Sequence, residues 1–296
     1  MSASLYHHVI DSEEAERALA EGERQATLPA SAIDLRAMTI TQHAEKYRDV
    51  DHRVWRSVFD RRMEELREDG SQVFLEGMET IRLSNAKVPV LDEINGYLEP
   101  MTGWRSVAVP GYLPPRSFFA FLARRRFPTT ISVRPPEQIE YLPEPDIIHD
   151  VFGHVPLHAD PAFADFLQTY GRTALAVSDH EASEGLARLF WFTVEFGLVQ
   201  EKGETKLYGA GLLSSPGEGR HALRSPEVDR RPFDLDTILA TDFEIDHFQP
   251  ILYVLDSFEQ LRDAMLEHAG RLQETGHLDL EELAAVDEPS ADLAAE

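Results

Sequence analysis

Apolar residues recur at helical spacing through much of the chain. Trp55, Phe59, Met63 and Leu66 fall at steps of four, four and three, and Gly70 follows as a stop. The pattern predicts a helix beginning after Thr41, with further helices over 71–83 and, after Pro89, 90–98. Residues 161–171 turn Phe163, Phe166 and Leu167 inward, and 178–198 form a longer helix carrying Glu195 near its far end. In 256–272, Phe258, Leu261, Met265, Ala269 and Leu272 share one stripe. β-prone runs are short: 129–133, and the strand and turn of 204–215, where Gly209 and Gly211 allow close backbone approach. With no internal repeat and no βαβ alternation, the fold class is mainly α with a few short strands.

Residues 1–35 are polar and acidic, and read as a loosely packed lead-in with one short helix near 12–22. Residues 36–273 form the main domain, and 274–296 an acidic tail without Lys or Arg, expected to be disordered. Pro-Gly and Pro-Pro pairs mark loops within 103–134. The basic run Arg124-Arg125-Arg126 there reads as a solvated helix end.

Composition narrows the function. The 296 residues hold 28 Lys and Arg against 53 Asp and Glu, a formal charge of −25. That excess repels phosphate backbones, so neither nucleic acid nor an anionic membrane is expected as a partner. No cysteine is present, which excludes disulfides and thiolate metal sites. No apolar run approaches the ~20 residues of a membrane helix, and the start lacks a secretion-signal layout. A cytoplasmic enzyme fits.

The candidate chemistry lies in 143–158, where His149 and His154 stand among Glu144, Asp146 and Asp150. Neutral imidazole is the commonest metal ligand. Five residues of straight α-helix turn about 500°, which leaves the two rings about 140° apart. They converge on one ion only if the helix ends or bends, and Gly153 and Pro156 supply a break. A third ligand is available in Glu195, alone in the apolar run 190–197. A buried carboxylate is costly unless paired, protonated or metal-bound. Two His and one carboxylate form the facial triad of non-haem Fe(II) oxygenases; an ion pair with Arg188 is the alternative for Glu195. His154 and His158, four apart, would suit a zinc hydrolase with Asp150 as base, but Pro156 interrupts that span and no HExxH word exists. The other reading of His158 is local packing.

Four words occur in order: EPDIIH (144–149), GHVPL (153–157), WFTVEFGL (191–198) and YGAGLLSS (208–215). Together they resemble the catalytic domain of the tetrahydropterin-dependent aromatic amino acid hydroxylases. Within that family the likeness is to the short bacterial phenylalanine 4-hydroxylases, over roughly residues 55–261. The resemblance implies that family's helical catalytic-domain fold, with Fe(II) on His149, His154 and Glu195, a tetrahydropterin such as tetrahydrobiopterin, and O2 as co-substrate. It implies conversion of L-phenylalanine to L-tyrosine. Alternatives are a tyrosine or tryptophan hydroxylase of the same family, or a pterin- or amino-acid-binding protein without catalysis.

The resemblance also assigns roles. Phe118 matches the ring that stacks on the pterin, in a loop with Gly111, Leu113 and Pro115; Asp150, Ala187 and Phe190 fall at other pterin positions. Asp150 stands where mammalian members have Glu, and Phe190 where they have Tyr. Without the resemblance, Phe118 and Phe119 read equally as core. Arg134 matches the substrate-carboxylate partner and Asp146 the acid that orients it. Leu142 (a Thr in mammalian phenylalanine hydroxylases), Trp191, Gly211 and Ser214 line the amino acid site. Trp191 matches the phenylalanine enzymes, since tryptophan hydroxylases have Phe there, and Ile245 stands where tyrosine hydroxylases carry Asp. The lead-in looks too short for the regulatory domain of animal members, and a monomer is the expectation.

Overall fold

A computed structural model describes residues 7–139, 145–245 and 247–287. Helix α1 (Ser12–Gln25) leads into α2 (Asp49–Asp69), α3 (Gln72–Thr80) and α4 (Leu91–Thr102). Strand β1 (Arg105–Val109), α5 (Pro115–Ala123) and β2 (Arg126–Thr130) form a parallel two-stranded crossover with Arg105 opposite Arg126. A π-helix (Ile148–His154) and a 3-10 turn (Val155–Ala159) precede α6 (Pro161–Ala176). Next come α7 (His180–Phe190), a second π-helix (Trp191–Glu195), and the hairpin β3 (Leu198–Glu201) and β4 (Glu204–Leu207). Both hairpin-turn residues, Lys202 and Gly203, have positive φ (51° and 87°), the geometry that tight two-residue hairpins favour. The chain continues through α8 (Ala210–Ser214), α9 (Pro216–Arg224), β5 (Asp229–Pro232), α10 (Leu235–Ala240), β6 (Ile251–Leu255), α11 (Phe258–Glu274) and α12 (Leu280–Asp287). The second sheet runs β4-β3-β6-β5, antiparallel only at its hairpin. The mainly helical class holds.

Helix α6 is central. Asp160 caps it by accepting the Phe163 N–H at 2.8 Å, and Pro161 occupies its first position, where the missing N–H costs nothing. Phe163, Phe166, Leu167 and Tyr170 are buried along it, against α5 on one side and α11 on the other. A Cβ at Gly171 would lie 2.5 Å from Leu122 Cβ, so only glycine lets α5 and α6 approach this closely. Arg62, buried on α2, donates to the Leu213 and Leu212 carbonyls at 2.7 and 3.1 Å and so satisfies the end of α8.

Several expectations need correction. Residues 178–198 are not one helix but α7, a π-helix and the start of β3, and Ala210–Ser214 is helical. The strand expected over 129–133 is Arg126–Thr130, ending where Asp150 takes over the Thr130 donors. The basic run is not a solvated helix end. Arg124 is buried and donates to the Ala30 carbonyl at 2.7 Å, while Arg125 bonds Gln168 at 2.8 Å and Asp165 at 2.5 Å. The described parts of the lead-in and of the tail are not loose either. The short helix near 12–22 is there as α1; Ala18, Ala30, Ile33 and Leu35 are buried, and α12 lies within the stretch read as a disordered tail. Its Leu280 is exposed but Val286 is buried, so a few apolar contacts order an acidic segment that composition alone marks as unfolded. The remainder of the tail, 288–296, lies outside the described residues.

Candidate active site

The two imidazoles converge because the helix widens, not because it stops. In a π-helix the backbone bonds run from i to i+5, which brings residues five apart nearly into line. His149 and His154 therefore meet across one turn, with Nε2 atoms 3.2 Å apart and rings edge to face. The second π-helix does the same service for Glu195, closing on a Phe196 N–H bond to the Trp191 carbonyl at 2.9 Å. Glu195 Oε1 lies 3.4 Å from His154 Nε2, and Oε2 lies 3.6 Å from His149 Nε2. A Cβ at Gly209 would stand 2.5 Å from the Glu195 carbonyl oxygen, so this glycine lets α8 close against the turn that carries Glu195.

This donor set fits a metal. Bonds of about 2.1 Å put neighbouring octahedral donors about 3.0 Å apart and tetrahedral ones about 3.4 Å apart. Ser214 Oγ donates to the Ala210 carbonyl at 2.8 Å and lies 3.0 Å from His149 Nδ1. The hydroxyl thus accepts from Nδ1–H, which leaves the His149 Nε2 lone pair facing His154 and a carboxylate. Burial pushes the His149 pKa down, keeping that ring neutral. A lone pair opposite a carboxylate repels unless a cation sits between them. Arg188, the alternative partner for Glu195, instead pairs with Asp242 at 2.8 Å and Glu184 at 3.8 Å.

Asp150 also brings a carboxylate oxygen within 4.8 Å of the two His nitrogens. Its Oδ2 is already engaged by the Thr130 N–H at 2.7 Å and Oγ–H at 2.6 Å. Burial raises its pKa, against the opposing pull of the nearby His and Thr130. It stands beside the triangle, tied to β2, rather than closing it.

An aromatic path leads outward from His154. Its ring lies 4.9 Å from Phe127, Phe127 lies 6.3 Å from Phe118, and Phe118 meets Phe190 edge-on at 5.8 Å. Phe118 and Phe190 are thus brought together, both half-buried. Ala187 is exposed one turn before Phe190 on α7, and Pro115 is exposed at the start of α5. Gly111 and Leu113 precede it in the same loop, with Leu113 leaning onto the helices beneath.

On another side Arg134 grips Asp146, with Nε to Oδ2 at 2.9 Å and Nη2 to Oδ1 at 2.8 Å. Trp191 stacks on Phe243 at 4.6 Å and packs on Phe196 at 4.6 Å. A Cβ at Gly211 would come 2.9 Å from the Phe196 ring, so only a residue this small lets α8 pack against that ring. Ile245 is 74% exposed. Leu142 lies outside the described residues.

His158 is not in the cluster. It is fully buried, stacked on Trp104 at 4.8 Å and near Phe127 and Phe163, so the packing reading holds. Sequence reasoning missed Thr130, Phe127 and Gln249. Gln249 is buried and accepts the Trp191 indole N–H at 2.9 Å, while its amide donates to the Glu244 and His247 carbonyls. A polar residue just ahead of an apolar strand was the available signal.

Residues 22–286 match the biopterin-dependent aromatic amino acid hydroxylase family, and the chain belongs to it. Among its relatives, the phenylalanine-4-hydroxylase of Ralstonia nicotianae is 45% identical over 226 residues, 76% of this chain and 72% of that protein. The phenylalanine-4-hydroxylase of Chromobacterium violaceum is 42% identical over 231 residues, 78% of each chain. A crystal structure of the Chromobacterium violaceum enzyme with bound iron(III) and 7,8-dihydrobiopterin superposes with a TM-score of 0.75. It is 42% identical and covers 80% of this chain and 86% of that one. The family-like helical fold read from the four words is the fold observed. No helix among the described residues is long and apolar enough to cross a membrane.

Proposed function

We infer that this chain is a phenylalanine 4-monooxygenase, which hydroxylates L-phenylalanine to L-tyrosine with O2, non-haem Fe(II) and a tetrahydropterin. The observation that carries the reading is the triangle of His149 Nε2, His154 Nε2 and the Glu195 carboxylate, with a ring path to one side and an arginine fork to the other. We assign the iron to those three residues, the pterin to Phe118, Phe190 and the 111–115 loop, and the substrate carboxylate to Arg134. When bound, iron and pterin together supply the electrons and exchangeable coordination positions that O2 activation requires.

The protein's own part is placement. Asp146 fixes the Arg134 plane so that its remaining N–H donors present a carboxylate-shaped fork. Trp191, held by Gln249 and Phe243, walls the space for the substrate ring. A site built for phenyl is favoured by Trp191. We also propose a cytoplasmic monomer; the net charge of −25 opposes self-association. Sedimentation of the purified protein tests the oligomeric state. The metal assignment is tested by iron titration of His154→Ala: iron binding should be lost, and wild-type stoichiometry would refute the triad.

A further inference from the structure

The loop assigned to the pterin is clamped between the N-terminal segment and α12. Arg116 follows Pro115 directly, two positions before Phe118. Its Nη2 donates to Glu282 Oε2 at 2.6 Å and to the Leu28 carbonyl at 3.1 Å, and its Nη1 donates to the Leu175 carbonyl at 2.7 Å. The same Glu282 oxygen accepts the Ala30 N–H at 2.8 Å. One carboxylate on α12 therefore ties the N-terminal segment and the start of α5 together. The next residue of α5, Ser117, donates its Oγ–H to the Gly22 carbonyl of α1 at 2.7 Å. A methyl on Gly22 would stand 3.2 Å from Leu113 Cδ2 and 3.4 Å from Pro114 Cδ.

The packing follows the same division. A second apolar cluster, separate from the main core, joins Ala30, Ile33 and Met38 of the N-terminal segment to Phe121 of α5 and Val286 of α12. Leu113 and Phe119 pack against it. The loop thus rests on α1, α12 and the segment between α1 and α2. Glu282, with 18% of its side chain exposed, is the charged contact that closes the cluster over Arg116.

We propose that Glu282 is a positioning residue for the pterin: acting through Arg116, it holds the 111–114 loop and the first turn of α5, with Phe118, in their binding-competent form. This rests on the assignment of the pterin to that loop. If the loop populates the competent form only part of the time, apparent affinity falls by that fraction. Losing the Glu282 carboxylate should affect the pterin and spare the iron and phenylalanine.

The test uses the full-length, iron-loaded protein, with calorimetric titration of 7,8-dihydrobiopterin and steady-state kinetics run together. Glu282→Ala should raise the pterin Kd and the pterin KM by about five- to tenfold. Iron content, phenylalanine KM and kcat at saturating pterin should stay within twofold. Glu282→Gln keeps an oxygen acceptor for Arg116 and Ala30, and should recover at least half of the lost affinity. Phe118→Ala serves as the control on the loop assignment. If Phe118→Ala loses pterin affinity and Glu282→Ala does not, the clamp is overturned and the assignment stands. If Phe118→Ala binds pterin normally, the assignment falls and the clamp with it. Equal loss in phenylalanine KM, kcat and pterin KM for Glu282→Ala would mark a general structural role and overturn the proposal.

Discussion

Arg134 and Asp146 form a two-pronged ion pair at 2.8 and 2.9 Å, and the same carboxylate accepts the backbone N–H groups of Arg134 at 2.9 Å and His149 at 3.1 Å. Asp146 is fully buried, so it sets the distance between the residue assigned to the substrate carboxylate and one assigned to iron. Lysine keeps the charge but cannot reproduce a planar fork. Arg134→Lys should therefore raise the phenylalanine KM by about tenfold or more, given about 1.5–3 kcal/mol for a hydrogen bond to a charged group. The pterin KM should change little. An unchanged phenylalanine KM would remove Arg134 from the substrate site.

Ser214 determines which nitrogen of His149 carries the proton. Ser214→Ala removes the Oγ partner 3.0 Å from Nδ1, freeing the ring to rotate and to adopt the wrong tautomer. Partners of this kind typically contribute 10–100-fold in metal affinity. Iron titration of the variant against a competing chelator should show about that loss. Wild-type affinity would mean that the hydroxyl has no part in orienting the ligand.

Gln249 anchors the indole of Trp191. Leucine at 249 would remove the Gln249 bonds to the indole N–H and to the Glu244 and His247 carbonyls, and leave the indole free to tilt. Apolar-pocket changes shift discrimination by about 1–3 kcal/mol. Gln249→Leu should lower the ratio of kcat/KM for phenylalanine over tryptophan by about tenfold. The ratio measured in direct competition checks this, and an unaltered ratio would contradict it.

His158 makes a pH prediction. Burial, reinforced by the nearby His154, pushes its pKa well below the ordinary 6.5, and no partner within the described residues meets either ring nitrogen. The unfolded chain takes up this proton near pH 6.5 while the folded chain resists it, so stability is full above about pH 6.5 and declines as pH falls. Phenylalanine keeps the stacking on Trp104 without the titration. His158→Phe should show a smaller drop in Tm between pH 7 and pH 5 than the wild type. Parallel Tm curves would contradict the assignment.

The site chemistry was legible in the sequence; its geometry was less so. His149, His154 and a lone Glu195 announce themselves because a carboxylate among aromatic residues needs a reason to be there. Period-based reading assumes 3.6 residues per turn, so it demanded a break between the two His; the chain instead widens into a π-helix, which no hydrophobic period records. The Arg134–Asp146 pair needed the family resemblance, since a separation of twelve residues carries no local signal. Arg124 and Arg125 misled because charge predicts solvent only until backbone carbonyls such as those of Ala30 and Ala120 occupy the guanidinium. Helix α12 was hidden for a related reason: its acidic composition suggests disorder, while Glu282 and Val286 meet partners far away in sequence.

The most direct test is tyrosine formation from L-phenylalanine by the purified protein, supplied with Fe(II) and a tetrahydropterin under air. Omission of iron, pterin or oxygen, and replacement of phenylalanine by tryptophan or tyrosine, would run in parallel. Tyrosine should form only when iron, pterin and oxygen are all present, with phenylalanine the preferred ring. No product from any ring by iron-loaded protein, or product that forms without the pterin, would contradict it.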